Sequence, residues 1–226
     1  MFSSTSAAFA VNYSARAICP RRASTSSSQW LVGTCSPRER NELTVLTYNE
    51  ENNGLDSLAF YYHSDEMWVL ESSPDPKLGE LVLSSGRTPG TGTTSLKLWR
   101  VKGLDNIAAR AAQQQEDGGP KDGGDEEEGY GDGLALEADF DSGSTKFSAF
   151  VSALRWKLDE PSQVASKDPH FLRLWQLDAG STSAVSDVGK VELALSDTDG
   201  ESSAAFSGDW TGGGLSWACG GADTVA

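Results

Sequence analysis

Apolar side chains alternate with polar ones in a series of short runs, "ELTVLTY", "ELVLSS", "SLKLW", "FLRLWQL" and "KVELAL". Each run is rich in β-branched or aromatic residues and is bounded by Gly, Pro, Asp, Asn or Ser. That spacing predicts half-buried strands, because successive side chains of a strand point to opposite faces of a sheet. No long segment holds an apolar stripe at helical spacing. The nearest approach is "LDNIAARAAQQQ", where Leu104, Ile107, Ala108 and Ala111 would share a face. A frayed helix of about three turns is the most expected there.

The runs recur in a fixed order. Four times an apolar run closes on a turn and a second run follows: "VNYSARAICP" with "QWLVGTCS", "MWVLESSP" with "ELVLSSG", "FVSALRWKLDEP" with "QVASKD", and "AAFSGDW" with "LSWACGGAD". After the first three comes a third strand, "NELTVLTYNEE", "TSLKLWRV" or "HFLRLWQLD", and then a fourth, "LDSLAFYYH", "LALEADF" or "KVELALSD". Four strands repeated at a period of roughly 50 residues are the mark of an all-β β-propeller, whose blades pack face to face around a channel. Trp99 and Trp175 hold the same place in successive units. A large ring there would fill the wedge between neighbouring blades while its N–H finds a partner.

His63 stands between a fourth strand and the next first strand, where sequences of the WD-repeat type, which this chain resembles, carry a His. In that family the His joins a hydrogen-bonded chain with a Ser or Thr of the second strand, the Trp of the third and an Asp from the turn between them. Ser84 or Ser85 and Trp99 fit two of those places, but "RTPGTGTT" supplies no Asp. The next unit has Asp168 and Trp175 but no His near Ser144 or Thr145. His63, Ser84, Trp99, Asp168 and Trp175 are therefore expected to act structurally, in two incomplete sets.

Charge changes the picture in one place. The 226 residues are 38% apolar, enough for a core, and carry a net charge of -15. Between Gly103 and Gly143 twelve acidic residues face Arg110 and Lys121, a net of -10. "AAQQQEDGGPKDGGDEEEGYGDG" is too polar and self-repelling to offset the entropy of ordering, so residues 103–143 are expected to be a disordered acidic insertion. Neither this run nor "SDTDGESS" has the ligand spacing of a calcium loop. The acidity argues against a nucleic-acid partner, which needs clustered Lys and Arg.

Catalytic chemistry is poorly supplied. There is no Gly-x-Ser-x-Gly elbow, "GTGTTS" lacks the Lys of a phosphate loop, and His63 and His170 are the only histidines. No enzyme, metal, cofactor or small-molecule substrate is expected. Cys19, Cys35 and Cys219 show no metal-type spacing and read as reduced thiols that pack as small residues. No window reaches the roughly 18 to 20 apolar residues of a membrane span. "RRAS", ending at Ser24, matches the preference of basic-directed kinases and marks a possible phosphosite beside Arg21 and Arg22.

The run "YSARAICP", "WLVGTCS", "NELTVLTYNEENN" and "HSDEMWVLESSPD", in that order, resembles the EARP- and GARP-interacting WD-repeat protein family, most closely from Asn12 to Arg100. The resemblance implies a non-enzymatic scaffold that binds multisubunit vesicle tethers of endosomal recycling and the trans-Golgi network, cytoplasmic and membrane-associated only through those partners. A WD-repeat adaptor of another assembly, a ubiquitin ligase or an organellar complex, is the alternative. The family's ring has about seven blades, of which about three and a half are expected here. An open ring is expected to self-associate through its exposed edges. The Ser-, Ala- and Arg-rich N-terminus, with no acid before Glu39, also allows an organellar transit segment.

Overall fold

The computed structural model describes residues 7–24, 27–37, 40–50, 53–107, 133–140, 151–177, 185–192, 205–211 and 214–220. Three four-stranded antiparallel sheets follow one another along the chain, each in simple sequence order. The first holds β1 (Ala15–Pro20), β2 (Gln29–Thr34), β3 (Asn41–Asn49) and β4 (Gly54–His63). The second holds β5 (Glu66–Ser72), β6 (Leu81–Arg87), β7 (Thr94–Val101) and β8 (Leu134–Asp139). The third holds β9 (Ala153–Trp156), β10 (Gln163–Lys167), β11 (Phe171–Leu177) and β12 (Val185–Glu192), and a hairpin of β13 (Ala205–Thr211) and β14 (Gly214–Gly220) follows. The sheets are blades of the WD-repeat type of propeller: β1 lies beside β5, β5 beside β9 and β9 beside β13, so the first strand of every unit is innermost.

Alternation along the strands decides what each face meets. Ala17 and Cys19 of β1, Leu31 of β2, Leu43 and Val45 of β3 and Tyr61 of β4 face Met67 and Leu70 of β5, Val82 of β6 and Val101 of β7 in one core. The other face of the second sheet supplies Leu83, Leu96 and Leu98 to a second core, with Leu154, Trp156, Val164 and Trp175 of the third. Each fully buried large side chain contributes about 1.5–3 kcal/mol. Close approach of the first two sheets needs Gly33, where a Cβ would stand 2.8 Å from that of Met67.

A bulge recurs in the fourth strand of each four-stranded sheet, where Leu58, Glu137 and Val188 are the extra residues opposite the Val45–Leu46, Leu98–Trp99 and Leu174–Trp175 steps of the third strand. It puts the third-strand residue after that step, Leu46, Trp99 or Trp175, in one place in all three sheets. The equivalence of Trp99 and Trp175 expected from the sequence is thus visible in the backbone, and Leu46 is the corresponding residue of the first sheet. Extra residues at such bulges strengthen the local twist, as a propeller blade requires.

Several boundaries differ from expectation. The insertion expected over residues 103–143 gives up both of its ends: Leu104 and Ile107 enter the first core, and Leu134–Asp139 is the outer strand β8. The Lys102 amide donates to the Gly133 carbonyl at 2.9 Å, so the two ends meet across the strand pair. The cause is local composition, since "GLDNI" and "LALEADF" carry the apolar residues that the acidic centre lacks. Residues 108–132 and 141–143 lie outside the described residues, as do Ser144 and Thr145. Of the expected helix only a 3₁₀ turn, Leu104–Asn106, falls among the described residues before Ile107. β12 begins at Val185, five residues ahead of "KVELALSD".

Strand direction gives the sheets two ends. The β2–β3, β4–β5, β6–β7 and β10–β11 connections lie at one, called upper here, together with the start of β1. The β1–β2, β3–β4, β5–β6, β7–β8 and β9–β10 connections lie at the lower end.

Candidate functional site

His63 is the last residue of β4, and the two-residue link to β5 brings its ring against the second sheet. Its ring meets that of Trp99 edge-on, with centroids 4.6 Å apart. Trp99 Nε1 donates to Ser84 Oγ at 2.9 Å, and Ser84 Oγ lies 3.3 Å from His63 Nε2. His63 Nδ1 is 2.9 Å from the Asp65 carbonyl oxygen. With the imidazole proton on Nδ1 every donor has its own acceptor, running from indole to hydroxyl to imidazole to backbone. The other neutral tautomer would accept from the Asp65 amide at 3.0 Å but set two donors against the Ser84 oxygen. Ser84, and not Ser85, therefore takes the second-strand place. Ser85 Oγ is buried without a hydrogen-bond partner.

The carboxylate missing from "RTPGTGTT" comes from the other side. Asp65, two residues after His63, points into the second sheet, where Oδ2 accepts from Ser95 Oγ at 2.9 Å and from Lys97 Nζ at 2.5 Å. Asp65 is 1% exposed. Burial opposes its ionisation, but the Lys97 ammonium and the Ser95 hydroxyl outweigh that and hold its carboxyl below the ordinary carboxylate value. Burial pushes His63 down to about 4, so at neutral pH it is an uncharged hydrogen-bonding element. Sequence reasoning missed Asp65; its only signal was "HSD", with the Lys two residues after Ser95.

The third sheet repeats this arrangement with two exchanges, of the ring that faces the indole and of the connection that supplies the carboxylate. Trp175 Nε1 donates to Ser166 Oγ at 2.8 Å, and Ser166 is the true counterpart of Ser84. Phe140, following β8, packs edge-on against Trp175 at 5.1 Å between centroids, in the place that His63 holds against Trp99. Asp168 closes the β10–β11 turn by accepting from the His170 and Phe171 amides at 2.8 and 2.7 Å, and its Oδ2 lies 3.7 Å from the Arg173 guanidinium. In the first sheet Leu46 and Val32 replace the Trp and Ser, so there is no polar chain at that place.

Ser24 lies in the β1–β2 turn, half-buried, with Oγ donating to the Ser27 carbonyl at 2.9 Å. Arg21 is buried, with NH1 donating to Gln29 Oε1 at 2.7 Å, so of the two arginines only Arg22 is exposed beside the turn. The Arg22 amide donates to Ser72 Oγ at 3.1 Å, and Ser72 Oγ donates to the Pro20 carbonyl at 2.8 Å, stitching the turn to the second sheet.

At the upper inner rim the exposed Arg16 guanidinium lies 4.7 Å over the half-exposed ring of Trp68, whose Nε1 donates to Glu66 Oε2 at 3.0 Å. Arg87 is the registered partner of Glu66, is exposed, and donates from Nε to the Gly92 carbonyl at 2.9 Å. Among the described residues no three His, Cys, Asp or Glu side chains gather as metal ligands, and no helix is long and apolar enough to cross a membrane. The arrangement is suited to holding sheets together and presenting surfaces.

No family model matches the chain. It is similar to the EARP and GARP complex-interacting protein 1 of Macaca fascicularis, with 22% identity over 178 residues, 78% of this chain and 42% of the relative. It is 23% identical over 178 residues to the EARP-interacting protein homolog of Gekko japonicus, with the same coverage of both chains. A 94-residue stretch, 41% of this chain and 25% of the relative, is 29% identical to the WD repeat-containing protein DWA2 of Arabidopsis thaliana. The chain thus spans 42% of the length of the first two relatives. Together with the repeated sheets and the His63–Ser84–Trp99 chain, these matches bear out the resemblance read from the sequence: over most of its length the chain is similar to the EARP- and GARP-interacting WD-repeat proteins.

Proposed function

We propose that this protein is a non-enzymatic interaction scaffold whose partners are subunits of multisubunit vesicle-tethering complexes, in endosomal recycling and endosome-to-Golgi retrograde transport. The observation that carries the reading is the similarity of 78% of the chain to proteins named for their interaction with EARP and GARP complexes. The fold agrees with it. Rigid sheets wedged by Trp99 and Trp175 hold many loops in fixed positions, and function in such folds resides in the loops. Histidine, cysteine and carboxylate groups at the core are committed to structure: burial drives the Cys19 thiol up to about 12, and the His63 imidazole is enclosed between sheets.

The protein resides in the cytoplasm on this reading, with peripheral association to endosomes or the trans-Golgi network through its partners. Affinity capture from cytosol tests it: tether subunits should be recovered with the chain. A second reading, a WD-repeat adaptor of another assembly such as a ubiquitin ligase or an organellar complex, is favoured by the match to a relative whose name carries no tether. Recovery of those partners in place of tether subunits would decide for it. Imaging of a C-terminally tagged chain that concentrated in an organelle lumen would overturn the cytoplasmic placement.

A further inference from the structure

Charge is divided unequally between the two ends of the sheets. At the upper end the carboxylates of Glu42, Asp65 and Asp168 are buried, Asp139 at the end of β8 is half-buried, and the half-buried Glu66 accepts from Trp68. The cations there are exposed: Arg16, Arg40 and Arg87 all reach solvent, and among the described residues none of them forms an ion pair. At the lower end charges of both signs are exposed, Glu50, Asp56 and Asp159 beside Arg22, Lys77 and Lys102. A chain of net charge -15 therefore has one end on which unpaired arginines prevail.

We propose that the upper inner rim formed by Arg16, Trp68 and Arg87 is a docking surface for an acidic, extended segment of a partner protein. The inference rests on the scaffold reading above and gives it a surface and a partner chemistry. Trp and Arg are the residue types that dominate binding hot spots, and both stand here at the innermost strands of adjacent sheets. The Arg16 guanidinium lies over the Trp68 ring, which restricts the side chain while leaving its planar fork able to take a carboxylate in two parallel hydrogen bonds. Less ordering then remains to be done on binding. Arg87, tethered through Nε to the Gly92 carbonyl, keeps its terminal nitrogens for a second carboxylate along the same segment.

The test is a titration of a fluorescent oligoglutamate peptide with the full chain, read by anisotropy at low salt. Arg16→Glu with Arg87→Glu should weaken binding about tenfold or more, and Arg16→Gln with Arg87→Gln should weaken it less. The lower-end variant Arg22→Glu with Lys77→Glu should bind as the parent does. Thermal melts confirm that the variants fold, which these exposed positions allow. Equal weakening by the upper- and lower-end variants, no binding by the parent, or tighter binding of a single-stranded oligothymidylate than of the peptide would overturn the proposal. Affinity capture separates its failure from failure of the scaffold reading. If the parent recovers tether subunits and the Arg16→Glu, Arg87→Glu chain recovers them equally, the docking surface is wrong and the scaffold stands. If the parent recovers none while the peptide still binds at the rim, the scaffold reading falls and the surface stands.

Discussion

Replacing His63 by Phe separates packing from protonation in the seam between the first two sheets. The third sheet already shows that the exchange is structurally sound, since Phe140 packs on Trp175 as His63 packs on Trp99, and each indole donates to a Ser. What the exchange removes is a titratable group. Burial holds folded His63 at about 4, whereas an unfolded His titrates near its ordinary 6.5. Between those values the unfolded chain binds a proton that the folded chain does not, so stability rises with pH there. His63 costs nothing above about pH 6.5, and folded stability is lost as the pH falls from there towards about 4. At about pH 4.5 linkage gives a loss of about 2–3 kcal/mol relative to neutral pH. Asp65 acts in the same direction, because a carboxyl held below its ordinary value by Lys97 stabilises the fold above that value and ceases to do so as acid protonates it. Its stronger partners, Lys97 and Ser95, are present in both chains, so most of its effect cancels in the comparison. Urea unfolding at about pH 7 and about pH 4.5 should therefore show His63→Phe close to the parent at neutral pH and about 2–3 kcal/mol more stable than the parent in acid. Parallel acid losses in the two chains would refute the argument, because they would mean that His63 is as protonated in the fold as out of it.

Other perturbations read the remaining parts of the seams. Lys97→Met leaves the 1% exposed Asp65 carboxylate with only the Ser hydroxyls of its neighbourhood, and loss of one partner of a buried pair costs about 3–5 kcal/mol; a urea midpoint within error of the parent would contradict the ion pair. Ser166→Ala removes the hydroxyl that accepts from the buried Trp175 indole N–H and should cost about 1–3 kcal/mol by the same measurement. Gly33→Val places a side chain on Met67, which overpacks the first seam by about 1–3 kcal/mol, and thermal melting reads the loss. Under native conditions iodoacetamide should alkylate the half-buried Cys35 and spare Cys19, whose thiol is buried and driven up to about 12; mass spectrometry distinguishes the two.

The alternation of apolar and polar residues was a reliable guide to the sheets because burial on one face fixes strand register. "TSLKLWRV" and "HFLRLWQLD" became β7 and β11 with their tryptophans opposite the same bulge. The pattern failed where charge density changes within a few residues. Leu134–Asp139 was read both as a strand and as part of an acidic insertion, and backbone pairing with β7 decided for the strand. A window averaged over the whole segment loses a six-residue edge strand whose acids, such as Glu137 beside Arg100, are themselves paired across the ladder.

The polar chain was only half legible, for a different reason. A linear pattern looks for the carboxylate in the turn between the second and third strands, because that turn is close to the His in space. But the space beside His63 can be entered from two directions in the chain, and in the second sheet Asp65 enters from the β4–β5 link while the β6–β7 turn contributes none. Lys97 completes the exchange: a carboxylate arriving from the link reaches the third strand, so a cation two residues before Trp99 balances it. In the third sheet the carboxylate does come from the turn, as Asp168, and the cation two residues before the Trp is Arg173 at the registered position. The second and third sheets thus each keep an indole, a serine, a buried carboxylate and a cation, and differ in the link that delivers the carboxylate and in the ring, His63 or Phe140, that faces the indole. The conserved quantity within this chain is the local balance of hydrogen bonds and charge at the wedge, which neither a His nor an Asp signature taken alone can reveal.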